Sequence, residues 1–98
     1  MKIESDKPVI LVLQNPREKV LGILREISAA GITVRGIDLN YFDEWTSAIN
    51  SGEPYLPMQE CFYPMWRVER LSADTGNSDV VAMSEQFKQR TGRHLAEF

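Results

Sequence analysis

The sequence predicts a mainly β domain. Five strands form a strongly bent antiparallel sheet that closes toward a small barrel. One short helix is inserted between the third and fourth strands, and a second lies near the C-terminus. Three observations carry this reading. Between Pro8 and Leu39, three apolar runs follow one another with only short turn signals between them. Gly22 and Gly36 interrupt the second and third runs, where a bend or bulge is expected. Helical spacing of apolar residues replaces strand alternation only over 40–50 and 80–91.

The first strand is Pro8–Gln14. Val9, Leu11 and Leu13 alternate with Ile10 and Val12, so both faces are apolar and both are expected to be covered. Asn15-Pro16 ends it, because proline cannot donate to a ladder. The second strand is Lys19–Ile27, with Leu21, Ile23 and Ile27 on one face and Val20, Gly22 and Leu24 on the other. Ser28–Gly31 is a turn in which Gly31 can take a positive φ. In the third strand, Ile32–Leu39, the apolar parity flips at Gly36, as a bulge would make it do.

Asn40 then serves as a helix N-cap, with Asp43 and Glu44 in the first turn, Phe42, Trp45 and Ile49 in one stripe, and Gly52 past the end. Met58–Tyr63 and Met65–Ser72 are the fourth and fifth strands, and Pro64 makes a sharp corner between them. The second helix, 80–91, places Met83 and Phe87 one turn apart and stops at Gly92. Residues 1–7 read as a frayed end or an extra edge element, and 93–98 as a loose tail.

Ninety-eight residues make one domain, 1–98, with its strand core over about 8–72. The formal net charge of -3 does not favour a polyanion. Charge is uneven. No Lys or Arg occurs between Gly36 and Trp66, and the basic residues fall in two end groups: Lys2, Lys7, Arg17, Lys19, Arg25 and Arg35, then Arg67, Arg70, Lys88, Arg90 and Arg93. The single cysteine, Cys61, excludes an internal disulfide framework and fits a reducing compartment. No apolar run is long enough to span a bilayer, and the N-terminus lacks a signal-peptide pattern. A cytoplasmic protein without membrane contact is expected.

Leu11-x-Leu13-x-Asn15, Gly22-x-Leu24 and Ile27 form one loose block, and Phe62-Tyr63-Pro64-Met65 through Leu71 form another. In this order, split by an insertion, they resemble the two sequence blocks of the Sm-like small β-barrels. The whole string also resembles a bacterial group of small proteins with that fold, which supplies no activity. The resemblance implies rings closed by pairing of edge strands, and in some members RNA binding. RNA-binding members carry an Asp and an Asn around the turn after the second strand, where this chain has Ser28 and Gly31. They carry an Arg-Gly pair in the second block, where this chain has Arg67-Val68-Glu69-Arg70. The helical insertion and the C-terminal helix are further departures.

Tyr63, Trp66, Arg67 and Arg70 form the best candidate nucleic-acid contact, joined by Arg17 and Lys19 in the charged loop after the first strand. Aromatic rings stack on bases and arginines meet phosphates. The competing role for Trp66 is packing, and for the charges an ordinary solvated face. Phe42, Trp45, Phe62 and Phe87 are candidates for a subunit or partner contact.

Asp38, Asp43 and Glu44 are read as helix-terminus charges rather than an acid–base pair. His94, the only histidine, lies in the tail, and Cys61 reads as a small buried hydrophobe. No metal, cofactor, catalytic group or small-molecule substrate is expected. The reading is a non-enzymatic homo-oligomeric assembly module joined through edge strands. The alternative is a single-stranded RNA binder using Trp66, Arg67 and Arg70.

Overall fold

The structure is a computed structural model that describes residues 3–98. Five strands, β1 (Pro8–Leu13), β2 (Glu18–Ile27), β3 (Gly31–Asp38), β4 (Gln59–Pro64) and β5 (Val68–Ala73), form one antiparallel sheet in the order β4-β3-β2-β1-β5. Helix α1 (Phe42–Ser51) lies between β3 and β4, and α2 (Met83–Thr91) follows β5. The expected closure into a barrel is not reached. β4 and β5 stand at opposite edges of an open sheet.

The sheet curls because the corner between β4 and β5 lies across its end. The expected corner is there, but Met65–Arg67 forms a single 3-10 turn where the sequence predicts the start of the fifth strand, and β5 begins only at Val68. The Met65 N–H donates to the carbonyl of Ala30, beside β3 (2.9 Å), and the Gln14 N–H, at the end of β1, donates to the carbonyl of Arg67 (2.8 Å). One three-residue corner thus bridges the ends of β3 and β1.

The two faces of the sheet are buried by different means. One packs Leu21, Ile23 and Ile37 against Phe42, Trp45, Met58, Phe87 and Leu95, which come mainly from the helices and the C-terminal turn. The concave face packs Val9, Leu11, Leu13, Val20, Leu24, Ile32 and Val34 together, and Tyr63, Val68 and Leu71 from the two edge strands cover them. Among the described residues no helix covers this second cluster, and its burial depends on the curl and on Ile3 of the N-terminal segment.

The change of apolar parity in β3 has this origin. Ile32 and Val34 serve the concave face, and Ile37 serves the helix face. The expected bulge at Gly36 is absent. Gly36 pairs directly with Gly22, and the register shift falls between Leu24 and Glu26. A Cβ on Gly36 would meet the Leu21 carbonyl oxygen at 2.5 Å, so close strand approach is what requires a glycine there. Gly31 is likewise needed for space rather than for a positive φ. A Cβ on it would run into the Tyr63 carbonyl oxygen and lie 2.7 Å from the Phe62 ring.

Helix ends differ from expectation where the cap comes from elsewhere. Asp38, not Asn40, caps the turn before α1, accepting the Asn40 N–H at 2.8 Å. Gly52 (φ 70°) and Gly92 (φ 73°) end the two helices in the left-handed conformation, as expected of C-cap glycines. Helix α2 starts at Met83 rather than 80. The Asp74 carboxylate, just past β5, accepts the N–H groups of Met83 (2.9 Å) and Ser84 (2.8 Å). Asn77 meanwhile accepts the N–H of Val80 and holds it outside the helix.

The N-terminal segment is attached to the sheet, in line with the edge-element alternative, and the C-terminal tail expected to be loose is packed. Met1 and Lys2 lie outside the described residues, but the Asp6 N–H donates to the Leu24 carbonyl at 2.7 Å and the Lys7 carbonyl accepts from Leu24 at 3.0 Å. At the other end, Leu95 is buried in a 3-10 turn. The Phe98 ring stands edge-on to Trp45, Phe87 and Tyr55, with centroids 6.0, 5.3 and 5.9 Å away.

Candidate functional site

The open edge of β4 and the corner that follows it carry the chain's most exposed aromatic surface. Phe62 is 54% exposed and Trp66 65% exposed, and Met65 lies between them. The backbone around Trp66 is fixed, because its carbonyl accepts the Gln14 side-chain amide at 2.7 Å. Trp66 is therefore a ring presented to solvent from an anchored turn, not a packed core residue.

The other aromatic candidates are not on the surface. Phe42, Trp45 and Phe87, expected at a subunit or partner contact, are buried within this chain. Trp45 stacks on Phe87 at 5.0 Å, and its indole N–H donates to the Leu56 carbonyl at 2.8 Å. The helix stripe was read correctly as apolar, but it packs on the sheet. Of that group, Phe62 alone faces outward.

Most basic candidates are neutralised locally. Arg67 is only 17% exposed, and its guanidinium donates to the carbonyls of Gln14 (2.8 Å) and Pro16 (3.2 Å) and to the Glu18 carboxylate. It clamps the loop after β1 to the corner and has little left for a phosphate. Arg17 lies 3.7 Å from Glu69, and Arg25 bridges Asp6 and Glu60. Farther along, Arg90 pairs with Asp43 and Arg93 with Glu97, and Arg35 donates to the Ala96 carbonyl. Lys2 lies outside the described residues. Among the described residues Lys7, Lys19, Arg35, Arg70 and Lys88 form no ion pair, and of these Lys19 and Arg70 are candidate contacts. They flank Val12 in one cross-strand row, since Val12 pairs with Lys19 on β2 and with Arg70 on β5.

Tyr63 points to the concave side with Cys61, two residues before it. Burial pushes the Tyr63 phenol above its usual range, and the neighbouring Cys61 adds to the shift. Both residues line a cleft of about 260 Å³ where the concave face is left open, between β2, β3, β4 and the loop before β4. Sequence reasoning missed this cleft, and it also missed Met65 and Leu56 as exposed apolar groups. The Pro-punctuated loop before β4 was the one available signal.

His94 lies in the C-terminal turn, where its N–H donates to Glu97 at 2.8 Å. Among the described residues no three His, Cys, Asp or Glu side chains gather as a potential metal-holding group. No helix among the described residues is long and apolar enough to cross a membrane. Comparison of the chain with protein-family models, with curated proteins and with solved structures finds no match.

Proposed function

We propose that this protein is a non-enzymatic, Sm-like assembly module whose copies join through their sheet edges. The observation that carries this reading is the pairing of an open β4 edge with an adjoining apolar patch of Phe62, Met65 and Trp66. An uncovered edge strand offers unpaired backbone groups, and exposed aromatics beside it supply apolar area for a partner. The order of elements supports the Sm-like part: three bent strands, an insertion, then two short strands joined by a tight corner. The opposite edge, β5, supplies the second half of a head-to-tail contact.

Sedimentation velocity over a range of concentrations tests it. The wild-type chain is expected to sediment as a defined oligomer, and the double variant Phe62→Lys with Trp66→Ser as a monomer. A wild-type chain that stays monomeric at all concentrations would remove the proposal.

One observation favours the second reading, single-stranded RNA binding. Trp66 offers a free ring, and Lys19 and Arg70 are cations without a carboxylate partner among the described residues. Stacking plus phosphate contact is the usual combination for single strands. Anisotropy of a labelled uridine-rich strand tests it, with binding expected to fall as salt rises and to be lost in Arg70→Ala with Lys19→Ala. Arg67→Ala is a poor probe, because it would release the corner itself.

A further inference from the structure

We propose that the cleft on the concave face binds a small planar aromatic molecule carrying an ammonium group on a short chain. The proposal stands apart from the assembly reading, which concerns the strand edges and the corner.

The floor of the cleft is the Gly36 backbone with a Val20 methyl group beside it. Val34, Gly36 and Asp38 project to the concave side, and Gly36 leaves a gap between the other two. A larger residue is excluded at 36, since a Cβ there would crowd the Leu21 carbonyl oxygen and the Val20 methyl group. A flat peptide surface bordered by Val20 and Val34 suits a ring laid against it. Glycine inside a strand commonly marks such a close approach. Leu56 and Pro57 form an apolar outer lip. The space is about 260 Å³. Since a dry cavity of about 150 Å³ holds benzene, a bicyclic ring with a short chain fits.

Charge selects among such molecules. Among the described residues that line the cleft there is no Lys, Arg or His, and Asp38 is the one carboxylate. Asp38 Oδ1 is used in capping the Asn40 N–H, but its Oδ2 accepts no hydrogen bond among the described residues. It sits exposed at the mouth, where an ammonium group would keep part of its hydration. The phenols of Tyr41 and Tyr63 face the same space and add electron-rich ring surface for a cation. Tyr63 is a neutral phenol at neutral pH, as an ordinary tyrosine is, and burial pushes its pKa further up, so Asp38 alone carries the charge of the lining. A carboxylate-bearing analogue of the same shape would meet Asp38 with no cation among the lining residues to offset it.

The test uses tryptamine, neutral indole and indole-3-propionate as probes, titrated into the full chain and followed by amide NMR. Saturable tryptamine binding is expected, with shifts at Gly36 and Cys61 and an affinity at least tenfold above that for indole-3-propionate. Asp38→Asn should abolish the preference while keeping the melting temperature, because the asparagine oxygen can still cap Asn40. If Asp38→Asn melts early, Gln59→Lys is the second variant. It places a cation at the same mouth from an exposed strand position and should reverse the preference. No binding of tryptamine, equal affinity for the cationic and anionic probes, shifts mapping away from the cleft, or a preference that survives the folded variants would each overturn the proposal.

Discussion

The chain spends its two tryptophans in opposite ways. Trp45 is fully buried between α1, α2 and the C-terminal turn, with Phe87 stacked on it and Phe98 edge-on. Trp66 sits on a three-residue corner whose backbone is tied to Gln14, and most of its ring is exposed. Both residues belong to short helical segments beside strands. The difference lies in what the neighbouring chain can offer. The helix face has two helices and a terminal turn to close over an indole. The β4–β5 corner has only a curled sheet edge, which covers its own concave side and leaves nothing for the convex rim.

The largest way to break this contrast is Trp45→Ala. It should cost about 3–5 kcal/mol by urea denaturation, because the aromatic cluster leaves a cavity that cannot collapse. Trp66→Ala, measured at dilution, should change stability by less than about 0.5 kcal/mol. Equal losses at the two positions would mean that Trp66 is packed in solution.

Gly31→Ala comes next. The added methyl meets the Tyr63 backbone and the Phe62 ring, so it should cost about 1–3 kcal/mol and loosen the β3–β4 ladder. Amide exchange at Thr33 and Phe62 reads this directly, and unchanged protection there would refute it.

Much of this contrast was legible in the sequence, and part was not. The first three strands, the helix stripe of Phe42 and Trp45 and the glycine helix stops follow from local periodicity. The role of each aromatic did not, because a stripe says only that one side is apolar and not what covers it. Asp74 capping α2 from the end of β5, and Phe98 completing the aromatic core, are long-range contacts with no local signature. The cleft has the same character. Val20 and Asp38 are partners on β2 and β3, Cys61 joins them through the pairing of β4 with β3, and Leu56 comes from the loop before β4, so the cleft rests on long-range pairing.

The smallest expected effect sharpens the Trp45 side. The Glu97 carboxylate is held below its ordinary range, first by the His94 backbone N–H and then by Arg93. A lowered folded value means that its contribution is present above the ordinary glutamate pKa, about 4.3, and is lost as pH falls through the lowered value. In a Trp66→Phe background, where Trp45 is the only indole, Trp45 fluorescence should shift slightly below about pH 4 as Phe98 loosens. Glu97→Gln should flatten that step. A step that persists in the glutamine variant would place its origin elsewhere.

The strand order has a consequence for how the chain is made. β1 sits between β2 and β5, yet β5 ends only at Ala73. During synthesis β1 and β2 can pair early, but the other side of Val9–Leu13 stays open until the ribosome has delivered the whole β5 segment. For that interval the most apolar strand of the protein is an unprotected edge, the kind of surface that recruits other nascent chains. A pause that holds β5 inside the ribosome should therefore raise the burden on chaperones more than an equal pause before β1 has emerged.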